Sequence, residues 1–413
     1  MRGLKNFYLD IWTSILIIAL IPTIIGINVF LLTNYEIPWG LHDELKEGII
    51  FQVYLEYYAS WCLLFLLLGF GASLIKTNDV RAATSYWASA RNTNVFDYSI
   101  LVIFIFIILY DLYLIGDLPF FYILNGDIAG AEEAKGKFFI ARMAAGIPLF
   151  GYLMQYFPLF ALGWTFDRFL NERKVLPFCC VLLISIIYSG LTIIKSYALM
   201  PVIVCAVIYF AKGDYKLNFQ LFIKLTALGM LAIILPFFLL SEEGGLIVIM
   251  AVFERIFLVQ IQGAFLIRSF YDGIELEALL EGAPLLSRLG YETMDPAADV
   301  LRKIWGEQAF LDGFVNMNSH YIGQGFVMFG PAIILIGPIF LYLNFALITL
   351  IIRIFSQSPF KRVANIILIT VAALVPINNN FGNTVYFKAI LATLILLFIL
   401  WPLYSLTVGK RQK

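Results

Sequence analysis

Apolar runs of about twenty residues recur along the chain, parted by short polar stretches. A bilayer core about 30 Å thick needs about 20 such residues per helix. The pattern predicts membrane-spanning helices at 11–32, 57–75, 98–116, 143–166, 175–194, 196–211, 219–241, 324–352, 363–387 and 389–409, ten in all. Pro22, Pro148, Pro158, Pro201 and Pro236 fall inside or at the ends of these runs. Membrane helices tolerate this because neighbouring groups satisfy the freed carbonyls. The start, MRGLKNFYLD, leads into an apolar run without a small-residue cleavage site, so it reads as an anchor rather than a cleaved signal.

The polar stretches set the orientation. Arg2, Lys5, Lys76, Arg81, Arg91, Arg168, Arg173, Lys174, Lys212, Lys216, Arg353, Lys361, Arg362, Lys410, Arg411 and Lys413 fall on one side of the predicted bilayer. The other side is acidic, with Glu36, Asp43, Glu44, Glu47, Asp117, Asp127, Glu132 and Glu133. Lys and Arg in short loops mark the cytoplasm, so both termini are expected inside. One segment challenges this count. Residues 245–270 are apolar enough to cross, yet Glu254 and Arg255 sit at its centre, and crossing would flip every later loop. An amphipathic or re-entrant helix on the outer face fits better.

The expected fold is thus an all-α polytopic membrane protein of about ten transmembrane helices, both ends cytoplasmic, with a large outer loop of amphipathic helices. Residues 1–241 hold the first seven spans, 242–323 the loop, and 324–413 the last three spans.

Composition narrows the function classes. Of 413 residues, 61% are hydrophobic and 14% charged, against about 25% charged in soluble domains. Lys plus Arg equals Asp plus Glu at 28 each, so no basic footprint points to nucleic acid. The four cysteines, Cys62, Cys179, Cys180 and Cys205, lie in apolar runs and read as small buried hydrophobes. No P-loop, HExxH, CxxC pair or GxSxG elbow occurs. A nucleotide-driven pump or a metalloprotease is unsupported, and no metal site or cofactor is expected.

Charge close to the membrane supplies the candidate chemistry. Lys195 stands alone between two spans, either snorkelling to headgroups or serving as a ligand for a lipid-linked phosphate. Arg255, Gln262 and Ser269 recur every seven residues and form a polar stripe expected to line something wet, with Arg268 on roughly the opposite face. Each arginine is also a candidate for plain headgroup contact. Arg142 opens the fourth predicted span and marks the interface or joins the same cluster. His320, in NMNSHYIGQGFVMFGP with Asn318 beside it, is a candidate acid, base or hydrogen-bond donor, or a structural imidazole. Asn379 and Asn380, in PINNNFGN, either bind sugar hydroxyls or form turns. Asp111 lies inside a span and should face protein or a cavity.

The stretch NMNSHYIGQGFVMFGPAIILIGP, Asn316–Pro338, resembles the entry to a late transmembrane helix in bacterial oligosaccharide repeat-unit polymerases of the Wzy type. Phe329, Gly330 and Gly337 fill the family's Gly-rich pattern, while Gln324 stands where the family often carries a carboxylate. YSGLTIIKSYALMP, Tyr188–Pro201, is similar to the family's Ser/Gly-ended helix followed by a basic residue. The resemblance implies polymerisation of undecaprenyl-pyrophosphate-linked oligosaccharides at the periplasmic face of the bacterial inner membrane, without nucleotide or metal. It implies His320, Arg255 and Lys195 as catalytic groups, and Arg268, Arg142, Gln262, Asn318, Asn379 and Asn380 as substrate contacts. It also implies lipid-linked substrates, membrane lipids and a chain-length regulator as partners. O-antigen ligase-like transfer to a lipid acceptor and a polysaccharide transporter or flippase are the alternative functions.

Overall fold

A computed structural model describes residues 22–32, 44–74, 94–127, 150–192, 195–211, 253–281, 290–308, 320–355, 360–374 and 381–408, with scattered positions between them. All regular elements among the described residues are helical. The chain runs through α1 (Pro22–Leu32), α2 (Ile49–Leu74), α3 (Asn94–Ile115), the short α4 (Pro119–Leu124), α5 (Phe150–Glu172), α6 (Val175–Thr192) and α7 (Lys195–Ala211). A π-helical turn (Glu254–Leu258) leads into α8 (Val259–Phe270), then α9 (Leu276–Glu281) and α10 (Pro296–Trp305). The remainder is α11 (His320–Phe329), α12 (Ile333–Phe355), α13 (Lys361–Ala373), α14 (Gly382–Val385) and α15 (Lys388–Val408).

Among the described residues, five helical stretches are long and apolar enough to cross a membrane: Ile49–Gly71, Asn94–Ile115, Val175–Thr192, His320–Phe355 and Lys388–Val408. Their outward faces carry Leu66, Phe70, Val102, Phe106, Leu183, Ile186, Phe398 and Leu406, all exposed. Contiguous exposed apolar surface on this scale is lipid-facing surface. This is a helical membrane protein. The predicted span 219–241 lies outside the described residues.

One predicted span is corrected. The run 363–387 is not a continuous helix, because α13 closes at Ala373 and Leu374 caps it. Pro376, three residues on, has no N–H to donate and cannot extend the helix. Thirteen residues rise only about 20 Å. Residues 362–372 are all buried, so α13 is enclosed on every side by α5, α7, α12 and α15.

A second enclosed helix is α8, buried throughout 261–269 against α2, α10 and α11. The expected amphipathic pattern belongs instead to α10. There Pro296, Ala297, Val300 and Leu301 face inward, and Arg302 and Lys303 are exposed. Asp295 caps α10 by accepting from the Ala297 amide at 2.9 Å, and burial raises its carboxyl above the usual range.

The path from α11 to α12 bends at Gly330, whose φ of +60° suits a residue without Cβ, and at Pro331. Close approach of α8 and α11 rests on Gly323, where an added Cβ would stand 2.8 Å from the Ala264 Cα. Backbone cannot rotate away as a side-chain tip can. Gly323→Val is therefore expected to destabilise the folded chain by at least the ~1–3 kcal/mol typical of overpacking, read as a lower thermal midpoint in detergent. An unchanged midpoint would show that the two helices part freely.

Candidate functional site

The fold gathers polar side chains at two opposite ends of the bundle. At the first end, α2 contributes Gln52, Glu56, Tyr57 and Ser60, α8 contributes Gln262, Arg268 and Ser269, and α11 contributes His320, Tyr321 and Gln324. Glu56, Gln262, Arg268, His320 and Gln324 are buried.

Arg268 Nη2 donates to Glu56 Oε1 at 2.6 Å, and Gln52 Nε2 donates to the same oxygen at 3.0 Å. The guanidinium carbon lies over Phe326, 3.3 Å from the ring centroid. Glu56 Oε2 and Arg268 Nε are buried without a hydrogen-bond partner. Outside this pair, Ser269 Oγ accepts the Lys46 amide at 3.1 Å, and Lys46 Nζ meets Asp272 at 2.5 Å.

His320 opens α11 with a φ of +43°, a region that costs a non-glycine residue energy. The Ile322 amide approaches its Nδ1 at 3.4 Å, which makes Nδ1 the acceptor and places the proton on Nε2. Nε2 is buried and meets no partner. The ring lies 5.3 Å from Tyr57 and 4.7 Å from Tyr321. Tyr321 in turn donates to Ser60 Oγ at 2.7 Å. Gln324 Oε1 accepts the Phe381 amide, tying α11 to the residue after Asn380.

This placement meets the sequence expectations unevenly. Arg268 and Gln262 on α8 and His320 on α11 lie on two helices packed against each other. The stripe of Gln262 and Ser269 is packed in protein rather than lining an open wet surface, because α8 is enclosed on all faces. Arg268 is not a lone cation but half of a buried ion pair. Lys195 opens α7 and Arg255 lies in the π-helical turn, and their side chains lie outside the described residues. Arg142, Asn318, Asn379 and Asn380 also lie outside them. Glu56, which lies just before the predicted run 57–75, is the residue the pattern undervalued. Its signal was a carboxylate one turn from Gln52 in an otherwise apolar run.

Near this end, Tyr271 donates to Asp299, and Lys303 Nζ meets Asp299 at 2.5 Å. Burial, with the bond to Asp299 behind it, pushes the Tyr271 phenol up. Asp111, one turn before the end of α3, is buried as expected and accepts from Tyr188 at 2.5 Å.

The second end holds a network that the sequence reading missed. Asp97 accepts from Trp164 Nε1 at 2.8 Å and Lys174 Nζ at 2.7 Å, and Arg168 approaches it at 3.4 Å. Arg362 Nε bonds Asp167, and its Nη1 reaches Glu172 at 3.2 Å. Arg168 also pairs with Glu172. Phe360 packs on Trp401 and Tyr404, and Phe96 on Trp164 and Tyr404, which puts this network where α12 and α15 finish. His320 begins the other end of the same α11–α12 path. Arg168, Lys174 and Arg362 counted in the sequence only as loop cations. The adjacent Asp167–Arg168 at the close of an apolar run was the available clue.

Among the described residues no cluster of His, Cys, Asp and Glu has the make-up of a metal site. Comparison with family models, with curated proteins and with solved structures gives no match to this chain.

Proposed function

We propose that this protein polymerises lipid-linked oligosaccharide repeat units by glycosyl transfer, with undecaprenyl pyrophosphate as the leaving group, at the periplasmic face of the bacterial inner membrane. The proposal includes ten passes of the chain with both termini inside, the ninth begun by the short α13 rather than made by one continuous helix. The observation that carries it is the buried Glu56–Arg268 pair, with the His320 ring against the adjoining Tyr57. It combines a cation and an imidazole at the end of an apolar bundle where the long hydrophilic segment folds back. α7, opened by Lys195, starts at that same end, since α6 and α7 run on from α5, whose last turns lie in the opposite network.

In this reading the acceptor hydroxyl oxygen attacks the anomeric carbon of the growing chain. The bond from that carbon to the pyrophosphate oxygen breaks, and the hydroxyl proton passes to His320 Nδ1, its basic nitrogen, in exchange for the long contact to the Ile322 amide. Arg268, Arg255 and Lys195 offset charge on the departing pyrophosphate. Each preorganised cation contributes about 3–4 kcal/mol, or two to three decades in rate. Arg142, Asn318, Asn379 and Asn380 hold the sugars and headgroup. A chain-length regulator is the proposed protein partner.

Purified protein in liposomes, given lipid-linked repeat units without nucleotide or ion gradient, is expected to build a ladder of products. Lys195→Ala and Arg255→Ala are expected to slow this by about two to three decades while protein level and insertion hold. Unaltered ladders from both variants, or no chain growth by the native chain, would overturn the reading. Transfer to a lipid A core acceptor alone would identify a ligase, and movement across the bilayer without bond formation a transporter.

A further inference from the structure

The ion pair between Arg268 and Glu56 is half made. A carboxylate that meets a guanidinium squarely takes two parallel N–H bonds. Here Nη2 alone donates, to Oε1 at 2.6 Å, while Nε on the same edge of the guanidinium and the second carboxylate oxygen stay unpaired. Both side chains are nearly closed off, with Arg268 4% and Glu56 6% exposed. Leaving charged donors and acceptors unmet in such surroundings is costly. The Phe326 ring packs against the guanidinium, its centroid 3.3 Å from the guanidinium carbon, and helps hold Arg268 in place.

The carboxylate also has somewhere to go. Gln52 lies one turn nearer the start of α2, is exposed, and already bonds the oxygen that Arg268 holds. The tie across the neighbouring turn is weak. Lys46 and Asp272 are 45% and 93% exposed in their side chains, and exposed pairs of this kind hold little.

We propose that Glu56 is a resident stand-in for an anionic ligand. In the closed state it occupies the seat on Arg268. It yields that seat to a phosphate or pyrophosphate group, which takes the Nε–Nη2 edge with two oxygens while Glu56 retreats toward Gln52. The inference rests on the proposed function only for the source of the anion. It adds an autoinhibitory carboxylate to that site.

The test is calorimetric binding of inorganic pyrophosphate to the full chain in lipid nanodiscs. Glu56→Gln is expected to bind at least tenfold more tightly than the native chain, with Glu56→Asp in between. Arg268→Lys, which keeps the charge but loses the two-donor edge, is expected to lose binding in either background. If Glu56→Gln fails to fold, Glu56→Asp decides, because it keeps the charge balance of the pair. Equal affinity across the carboxylate forms, no binding by any of them, or full binding by Arg268→Lys would overturn the proposal. A second arm uses undecaprenyl pyrophosphate in the nanodisc. Tighter binding than inorganic pyrophosphate identifies the lipid headgroup as ligand, and equal binding identifies the free anion. Glu56-dependent binding by a chain that makes no polymer would sink the polymerase and leave the exchange standing. Polymer synthesis without Glu56-dependent binding would do the reverse.

Discussion

Asp97→Ala is expected to cost the folded chain about 3–5 kcal/mol, the range for breaking a buried ion pair by removing one partner. Asp97 is 2% exposed, and its two oxygens receive Trp164, Lys174 and Arg168. Removing it does not affect these partners equally. Lys174 is 23% exposed in its side chain and can turn to water, whereas Arg168 at 2% cannot. Arg168 keeps Glu172, but Glu172 is shared with Arg362. Three carboxylates, Asp97, Asp167 and Glu172, then become two against the three cations Arg168, Lys174 and Arg362. The measurement is the thermal midpoint in detergent, with folded yield beside it. Asp97→Asn separates the causes, since the amide oxygen still accepts from Trp164 but carries no charge. If charge balance dominates, Asn loses nearly as much as Ala, and pairing it with Arg168→Gln recovers part of the loss, as a double-mutant cycle reads. A loss below about 1 kcal/mol for Asp97→Ala would mean that water already compensates these charges.

How the sequence foretold this structure depends on which physical signal each element carries. The long helices were legible because lipid selects apolar residues on every exposed position, and α2, α3, α6, α12 and α15 begin or end within a few residues of the predicted runs, except where α2 extends eight residues earlier. That extension carries Gln52 and Glu56, and the charge of Glu56 is what bounds the uncharged run at 57. α8 was the harder case. Its composition allowed a span, a surface helix or a re-entrant one, and periodicity cannot show that all faces are covered. Pairing was illegible for a similar reason. Glu56 and Arg268 are 212 positions apart, and Asp167 and Arg362 are 195 apart. Hydropathy reports what each residue prefers to touch but not which distant partner neutralises it. His320 was legible as unusual, being one of two histidines, but its enclosure and its left-handed backbone were not.

His320→Asn is expected to leave the chain folded while lowering the proposed polymerisation by about two to four decades, the range for losing a positioned general acid or base. Asparagine suits this position for two reasons. It tolerates the left-handed backbone that His320 adopts at +43°, and its side-chain oxygen can accept the Ile322 amide that Nδ1 now accepts. It has no basic nitrogen to take up a proton. His320→Ala removes the imidazole as well but forfeits the turn and opens a void beside Tyr57 and Tyr321, so its losses mix folding with chemistry. The paired measurement is thermal midpoint and initial rate of chain growth on the same preparations. A folded His320→Asn that polymerises within about threefold of the native rate would reduce His320 to a structural turn residue, leaving the acceptor proton to another group. A folded and inactive variant, with binding of inorganic pyrophosphate intact, would place the defect in proton transfer rather than in holding the leaving group. That separation is the strongest discrimination available at this end of the bundle, because Arg268 and His320 sit on different helices and can be altered one at a time.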